Sequence, residues 1–337
     1  QIQGECRAQV CPTGATRVTA PRCHRCEDSA KVTHMTQQPP AALVSRRDPA
    51  LSAVVTAVTP LPGVRAGSAL VRHSGRLLLA QDDDYTLFWI DIDAVPPGTT
   101  SLPLRGEVGA MAKAEKPDFE AATALPDGRI LVMGSGSAQT RRSVVLLTPE
   151  TGTFDLHDSG RVYDLVGESI GHDLNFEAVL PIDGGLRLFH RGNSGDGDAT
   201  VDLIIEPERP QEASVARVVR WSLGTVPGES REVPLTFTDA DIDRHGRHWY
   251  VAAAEDTPNA IDDGPIAGSA IGVLTATGGR WAPIREADGS ISVRKYEGLV
   301  VDPDLAGAWL VTDPDDEHLT AELCRVALTG WEPATLD

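Results

Sequence analysis

The sequence predicts an all-β fold, a β-propeller, from three observations. A strand-turn-strand pattern recurs five times along the chain, Gly and Pro are abundant, and no window carries an extended apolar pattern at the helical period. The 337 residues include 32 Gly and 24 Pro, a composition typical of many short strands joined by turns. We therefore expect few helices.

Each repeat begins with an acidic or hydroxyl residue, runs as an apolar strand to a turn, and returns as a second apolar strand with a polar end. The leading residues are Ser68, Glu120, Glu177, Asp239 and Glu297. Their intervals of 52, 57, 62 and 58 residues suit a blade of four strands with generous loops. Further strand candidates for the outer part of each blade are residues 86–92, 143–147, 201–205, 215–221 and 269–274.

Five blades are favoured, and a sixth, degenerate blade is the main alternative. Residues 51–59 form a strand run before the first repeat, while little chain follows the third strand of the fifth repeat at 322–328. Because ring closure removes exposed sheet edges, we expect this N-terminal strand to close the last blade. A β-sandwich fits the turn spacing but does not predict five copies of one pattern.

The N-terminal residues differ in composition from the rest. Residues 1–34 hold four of the five cysteines, Cys6, Cys11, Cys23 and Cys26. Four thiolates could hold a zinc ion, but their spacing does not match that of structural zinc sites and no strand signal flanks them. We therefore predict an extraneous or disordered segment over 1–45 and a propeller domain over 46–337. Cys324 lies in an apolar run and is expected to be buried.

The acidic composition excludes general nucleic-acid binding, since a net charge of -19 would be repelled by phosphates. No stretch is long and apolar enough to span a bilayer, and residues 1–20 lack the apolar core of a secretory signal. We expect a soluble, cytoplasmic monomer with no membrane or nucleic-acid partner. Secretion is the alternative if a signal precedes Gln1, and Met35 is an alternative start.

The repeated acids predict a metal site. In a propeller the first strand of each blade lines the central channel, so Ser68, Glu120, Glu177, Asp239 and Glu297 are expected to ring one mouth of it. Four carboxylates so close would repel one another unless a cation lies among them. Oxygen ligands favour calcium, with magnesium as the alternative. The competing interpretation is that these acids accept hydrogen bonds from backbone amides or waters.

Basic residues near the same mouth predict an anionic ligand. Lys116, Arg141 and Arg191 are candidates to orient a small anion, and His172 is the candidate proton carrier because its pKa lies near neutrality. A phosphate ester or lactone polarised by the metal would fit this set. Taken singly, each of these residues is more simply interpreted as a solvated loop charge or, for His172, a loop or core histidine.

Four short strings stand out in the sequence: Lys116-Pro-Asp-Phe-Glu-Ala-Ala-Thr-Ala-Leu-Pro-Asp-Gly-Arg, Asn175-Phe-Glu-Ala, Ala254-Glu-Asp-Thr and Gly268-Ser-Ala-Ile-Gly. Together they resemble a family of uncharacterised bacterial propeller proteins over roughly residues 50–330. That resemblance implies a fold and no particular reaction.

Two characterised groups are similar at longer range. The order of the five leading residues resembles the central calcium ring of five-bladed calcium-activated nucleotidases, where Asp239 departs from an expected Ser. The Phe-Glu-Ala and Leu-Pro-Asp-Gly-Arg elements resemble phytase-like and gluconolactonase-like propellers, which normally have six blades.

Two functions follow as hypotheses. The first is a calcium-binding propeller hydrolase of a small anionic substrate, a phosphate ester or lactone, at the channel mouth. The second is a non-catalytic propeller that binds a ligand or protein and holds a structural cation. Because one fold carries many functions, the sequence leaves open whether the protein is an enzyme.

Overall fold

Antiparallel sheets account for most of the regular structure in the computed structural model. It describes residues 41–106, 111–171, 173–192, 197–205, 209, 212–257, 264–316 and 318–332. The N-terminal cysteines and His172 lie outside the described residues, so the predictions made for them stay predictions. Pro40–Asp337 forms one compact unit.

Antiparallel pairing groups most of the described strands into five sets of four, here called sheets, and the strands of the first four sets follow one another in chain order. Parallel pairings between outer strands join the last three sets into one 13-stranded sheet. The first sheet contains β3 (Gly67–His73), β4 (Arg76–Gln81), β5 (Thr86–Asp91) and β6 (Gly98–Pro103). The second contains β7 (Phe119–Ala124), β8 (Ile130–Gly134), β9 (Ser143–Thr148) and β10 (Thr153–Asp158). The third contains β11 (Phe176–Ile182), β12 (Gly185–His190), β13 (Asp198–Ile204) and β14 (Ser214–Ser222).

The last two sheets complete the ring. The fourth contains β17 (Thr236–Ile242), β18 (His248–Glu255), β19 (Ile266–Thr275) and β20 (Gly278–Arg285). The fifth contains β21 (Tyr296–Val301), β22 (Gly307–Thr312), β23 (Glu322–Thr329) and, from the other end of the chain, β2 (Ser52–Pro60). β2 pairs antiparallel with β23, Ser52 opposite Thr329, which confirms that an N-terminal strand closes the last blade.

The innermost strands identify the fold. β3 contacts β7, β7 contacts β11, β11 contacts β17, β17 contacts β21, and β21 returns to β3. These strands are largely buried because they face neighbouring sheets; β21, for example, buries every residue. Phe237 packs edge to face against Phe189 of the third sheet and Tyr250 of its own, with ring centroids 5.2 and 5.3 Å apart. The chain is a β-propeller, as predicted.

Two further features lie outside this pattern. β1 (Leu43–Arg47) runs parallel to β14 and to β20, so it joins the outer strands of the third and fourth sheets. It crosses the predicted boundary between residues 45 and 46. A small hairpin, β15 (Thr225–Pro227) with β16 (Glu232–Pro234), precedes the fourth sheet.

The α-helix of the described chain, α1 (Gly160–Ile170), joins the second and third sheets. It buries Val162, Tyr163, Val166 and Ile170, and ends where Gly171 takes the left-handed conformation at φ 84°. Neither α1 nor any other helix in the described part of the chain has the length and apolar character needed to cross a bilayer.

Candidate functional site at the channel mouth

A β-bulge lies near the start of each innermost strand. At this bulge the register against the second strand shifts by one residue, so one residue of the innermost strand is left over without a residue opposite it. The five residues left over, here called the ring positions, are Ser68, Glu120, Glu177, Thr238 and Glu297. Because they are equivalent in five neighbouring strands, they lie at one end of the channel, here called the channel mouth.

The fourth ring position corrects the sequence-based choice of Asp239, which lies one residue further along. The Asp239 carboxylate accepts hydrogen bonds from the Ala240 N–H at 2.8 Å and from the Leu299 N–H at 2.6 Å. It therefore joins β17 to β21, and burial raises its pKa well above the usual value. Asp239 matches the interpretation that an acid here accepts from backbone amides.

The two hydroxyl ring positions are also engaged with backbone. Ser68 donates to the carbonyl oxygen of Phe119, the residue before the next ring position. Thr238 does the same to Tyr296, with Oγ1 at 2.6 Å from the carbonyl oxygen. Each hydroxyl thus ties its strand to the next, and the carboxylates at the ring positions are those of Glu120, Glu177 and Glu297.

Arg191 lies between two of these carboxylates. Its NH1 is 3.6 Å from an oxygen of Glu177 and 3.6 Å from one of Glu297, and its NH2 is 2.8 Å from Glu255. The arginine is only 5% exposed. Its charge partly neutralises a pair that burial would otherwise make very costly.

The pKa of Glu177 reflects this balance. Burial raises it to about 8, while the Arg191 guanidinium acts to lower it and the Glu297 charge to raise it. Asn175 also donates from Nδ2 to Glu177 Oε1 at 2.6 Å. The sequence-based assignment of Arg191 to a substrate is therefore not reflected in its contacts, which are with the protein's own acids.

Lys295 neutralises the other side of Glu297. Its Nζ lies 3.0 Å from Glu297, 2.8 Å from Asp315 and 3.7 Å from Asp313. Burial opposes the charged ammonium, but these three carboxylates outweigh it and raise the pKa of Lys295 well above the usual value.

Glu120 belongs to a second group of acids. Ligand oxygens of Glu120, Asp82 and Asp118 all lie within 4.8 Å of one another. The Oε2 atom of Glu120 is buried and accepts no hydrogen bond from the described residues. Burial, followed by the nearby charges of Asp118 and Glu177, raises the pKa of Glu120 well above the usual value. Glu120 thus has one buried carboxylate oxygen to which no described group donates a hydrogen bond.

Asp118 is held rigidly beside Glu120. It takes a positive φ of 55°, uncommon for a residue other than Gly. Lys116 Nζ is 3.1 Å from it, Arg141 NH1 is 2.9 Å from it, and Ser135 donates its hydroxyl to it. Lys116 also pairs with Asp82. Lys116 and Arg141 therefore lie beside the Glu120 group, and each is paired with protein carboxylates.

The mouth carries more acids than bases among the described residues. Lys116, Arg141, Arg191 and Lys295 are four bases. Eight acids contact them or lie in the Glu120 group: Asp82, Asp118, Glu120, Glu177, Glu255, Glu297, Asp313 and Asp315. Such an excess favours a cation as the ligand of this face.

The sequence analysis gave no site role to Asp118, Asn175 or Thr236, although a signal was present. The residue two before each of the last four ring positions is polar: Asp118, Asn175, Thr236 and Lys295. Asn175 donates a hydrogen bond to Glu177, Lys295 pairs with Glu297, and Asp118 lies in the acidic group of Glu120. The hydroxyl of Thr236 accepts a hydrogen bond from Arg191 Nε at 3.2 Å. An alignment of the repeats on the ring positions shows these polar residues at equivalent places in four of the five repeats.

Comparisons with known proteins identify a family and a set of distant structures. A family model described as "Family of unknown function (DUF6929)" matches residues 63–328. No curated protein matches the sequence. Matching structures include glutaminyl cyclase of Myxococcus xanthus, with 12% identity, a TM-score of 0.47, and coverage of 86% of this chain and 99% of that one.

Two other matching structures are those of a glycoside hydrolase and a sugar dehydrogenase. The catalytic domain of the GH62 α-L-arabinofuranosidase of Coprinopsis cinerea has 12% identity, a TM-score of 0.47, and coverage of 85% and 98%. The aldose sugar dehydrogenase of Streptomyces coelicolor, in its PQQ-bound form, has 12% identity, a TM-score of 0.41, and coverage of 83% and 99%.

Proposed function

We propose that this chain, which belongs to the DUF6929 family of unknown function, is a calcium-binding β-propeller that hydrolyses a small anionic substrate at the channel mouth. The substrate class is a phosphate ester or a lactone. One observation carries the cation site on which the proposal rests: the buried Oε2 of Glu120 has no hydrogen-bond donor among the described residues, and oxygens of Asp82 and Asp118 lie within the same 4.8 Å group. An unpaired buried carboxylate oxygen is costly unless a cation meets it.

The donor set fits a hard cation. Glu120, Asp82 and Asp118 offer oxygen atoms alone, which suit calcium or magnesium and not zinc or copper. Calcium is favoured because it accepts irregular sets of carboxylates, whereas magnesium demands near-octahedral geometry. Glu177 and Glu297 would add charge from across the ring while they share Arg191.

The corrected ring supports the calcium assignment. With Thr238 at the fourth position, the ring reads Ser68, Glu120, Glu177, Thr238 and Glu297. A hydroxyl thus stands where the resemblance to calcium-activated nucleotidases expects Ser, and the departure at Asp239 disappears.

The basic residues take positioning roles in this proposal. Lys116 and Arg141 hold Asp82 and Asp118, and Arg191 keeps Glu177 and Glu297 together. A bound calcium would supply the positive charge that draws in an anion and polarises its oxygen. Proton transfer by His172 remains a prediction, because that residue lies outside the described chain.

A second candidate function rests on the same ion pairs. Each of the four bases at the mouth already contacts protein carboxylates, so none of them is left to clamp a substrate directly. This favours a non-catalytic propeller whose cation is structural and whose face binds a ligand or protein.

Hydrolysis assays distinguish the two candidates. The full chain is given generic phosphate-ester, nucleotide and lactone substrates with calcium or with EDTA. We expect calcium-dependent turnover of one class, reduced about 100-fold or more by Glu120→Gln because a metal ligand is lost. Glu168→Gln, an exposed helix residue with the same change in charge, is the control. Absence of calcium-dependent turnover across the panel would rule out the hydrolase and favour the second candidate.

A further inference from the structure

A cavity opens at the end of the propeller opposite the channel mouth. This rear cavity has a volume of about 360 Å³ and lies between the third and fourth sheets, beside the start of β1. His248, which lines it, begins the strand that ends at Glu255 of the channel mouth. The strand from His248 to Glu255 is eight residues long, which places these two residues roughly 23 Å apart. The rear cavity is therefore a separate site.

Its lining is basic. Arg187, Arg217 and Arg247 line the rear cavity, and no aspartate or glutamate of the described chain does so. Arg187 is fixed by a two-point pair with Asp202, with N–O distances of 2.6 and 2.8 Å. In the strand register Asp202 lies opposite both Arg187 and Arg217, so the two arginines flank the residue that pairs with Arg187.

Arg247 adds an unused donor. Its Nε pairs with Asp243 at 2.7 Å and its NH1 donates to the Trp331 carbonyl oxygen at 3.1 Å. Its NH2 is buried and donates to nothing within the described ranges. Three arginines thus face two aspartates, which leaves an excess positive charge at one place on a chain whose net charge is -19.

The remaining walls are neutral or apolar. Arg187 NH1 lies 2.8 Å from His248 Nδ1, so that nitrogen accepts and the ring proton is on Nε2. Burial, then the Arg187 charge, lowers the pKa of His248 to about 4, so it is an uncharged donor at neutral pH. Leu43, Val219, Trp221 and Leu274 supply apolar surface beside these donors.

We infer that the rear cavity binds a small amphipathic anion: a carboxylate or phosphate head held by Arg187, Arg217 and Arg247, carried on a flat apolar body packed near Trp221. The volume lies in the range of small-molecule pockets, which combine apolar walls with a few convergent polar groups. Arginine forks suit both kinds of head group.

Isothermal titration calorimetry tests this inference with benzoate and with phenyl phosphate as probes. The full chain is used in EDTA, so that no metal at the channel mouth attracts the anion. We expect one-to-one binding of at least one probe, weakened about tenfold by Arg217→Gln through loss of a charged hydrogen bond. Ala276→Trp, a change at an exposed lining residue, should abolish binding by filling the cavity.

Two controls locate the binding. Arg161→Gln removes an exposed arginine from α1, and Glu120→Gln alters the channel mouth; both should leave binding unchanged. If neither probe binds at millimolar concentration, or if Arg217→Gln and Ala276→Trp bind as the unmodified chain does, the inference is wrong. Because Glu120→Gln is predicted to matter only at the mouth, failure here leaves the proposed hydrolase untouched.

Discussion

At the scale of single residues, Arg191 governs the electrostatics of the channel mouth. It is a permanent cation in contact with Glu177, Glu255 and Glu297. Removing one partner of such a buried group typically costs about 3–5 kcal/mol, since the others remain as unpaired buried charges. Arg191 therefore neutralises part of the negative charge for which the sequence analysis expected a metal, and in the proposed function Glu120 is the ring glutamate that a metal would pair with.

Asp239 gives a residue-scale prediction about the fold. Asp239→Ala should lower the free energy of unfolding by about 2–4 kcal/mol, because the Leu299 N–H then lies buried without an acceptor. Asp239→Asn should cost less, since its one amide oxygen can still accept from one amide. Urea unfolding measures both. If Asp239→Ala kept its stability but lost the stabilisation by calcium, this prediction would be wrong and Asp239 would be a metal ligand.

Asp198 gives a residue-scale prediction about pH. Burial raises its pKa from 3.8 to about 7, although the Phe237 and Gly192 N–H groups both donate to Oδ1. The folded state therefore holds a proton that the unfolded chain releases, and this contribution to stability falls as pH rises from about 4 to about 7. Asp198→Asn keeps the acceptor and removes the titration.

Urea unfolding at several pH values tests this sign. Relative to the unmodified chain, Asp198→Asn should gain stability between pH 5 and pH 8, by an amount on the order of a few kcal/mol. A stability difference between the two proteins that stays constant with pH would contradict the raised pKa.

At the scale of elements, the hairpins were predictable and the bulges were not. Apolar runs that alternate with Gly turns mark β8 or β22 in the sequence directly. A bulge leaves no such mark, so the Asp-Ala pair at 239–240 was matched to Glu-Ala at 120–121 and the fourth repeat was placed one residue out of register. β1 was missed because five residues carry little period and their partners lie far along the chain, at 221–222 and 279–281.

β2 gives an element-scale prediction. A variant that starts at residue 62 loses β1 and β2, which exposes the edge of β23 and removes Leu51, Ala53 and Val55 from the core. We expect it to aggregate, because an unpaired edge and an open core invite association. A variant that starts at residue 49 loses β1 and keeps β2, and should stay monodisperse. Size-exclusion chromatography with light scattering compares them; a monodisperse, cooperatively unfolding protein from residue 62 would contradict the closure argument.

At the scale of the whole molecule, the ring of strands gathers acids from distant parts of the chain. Glu120, Glu177 and Glu297 lie on three different sheets and far apart in the sequence, yet the nearby charge of Glu297 raises the pKa of both Glu120 and Glu177. The sequence predicted this convergence, because repetition around a closed ring places equivalent residues together. It did not predict which acids would be neutralised internally, since Arg191 and Lys295 reach their partners through side-chain packing that no periodicity encodes.

The two ends of the propeller differ in charge. The channel mouth has an excess of carboxylates, whereas the rear cavity has an excess of arginines. A divalent cation and an organic anion are therefore expected at different ends, and neither expectation depends on the other.

Thermal unfolding with EDTA and with a calcium titration tests the central claim, that Glu120 and its neighbours hold a divalent cation. For the full chain and for Glu168→Gln, the midpoint should rise with calcium, by about 5 °C or more at a hundredfold excess over the dissociation constant. Glu120→Gln should lose this rise and be at least as stable in EDTA, since a neutral amide replaces a carboxylate whose Oε2 atom is buried without a hydrogen-bond partner. A midpoint that stays the same with calcium and with EDTA, in protein shown to be metal-free, would contradict the metal site.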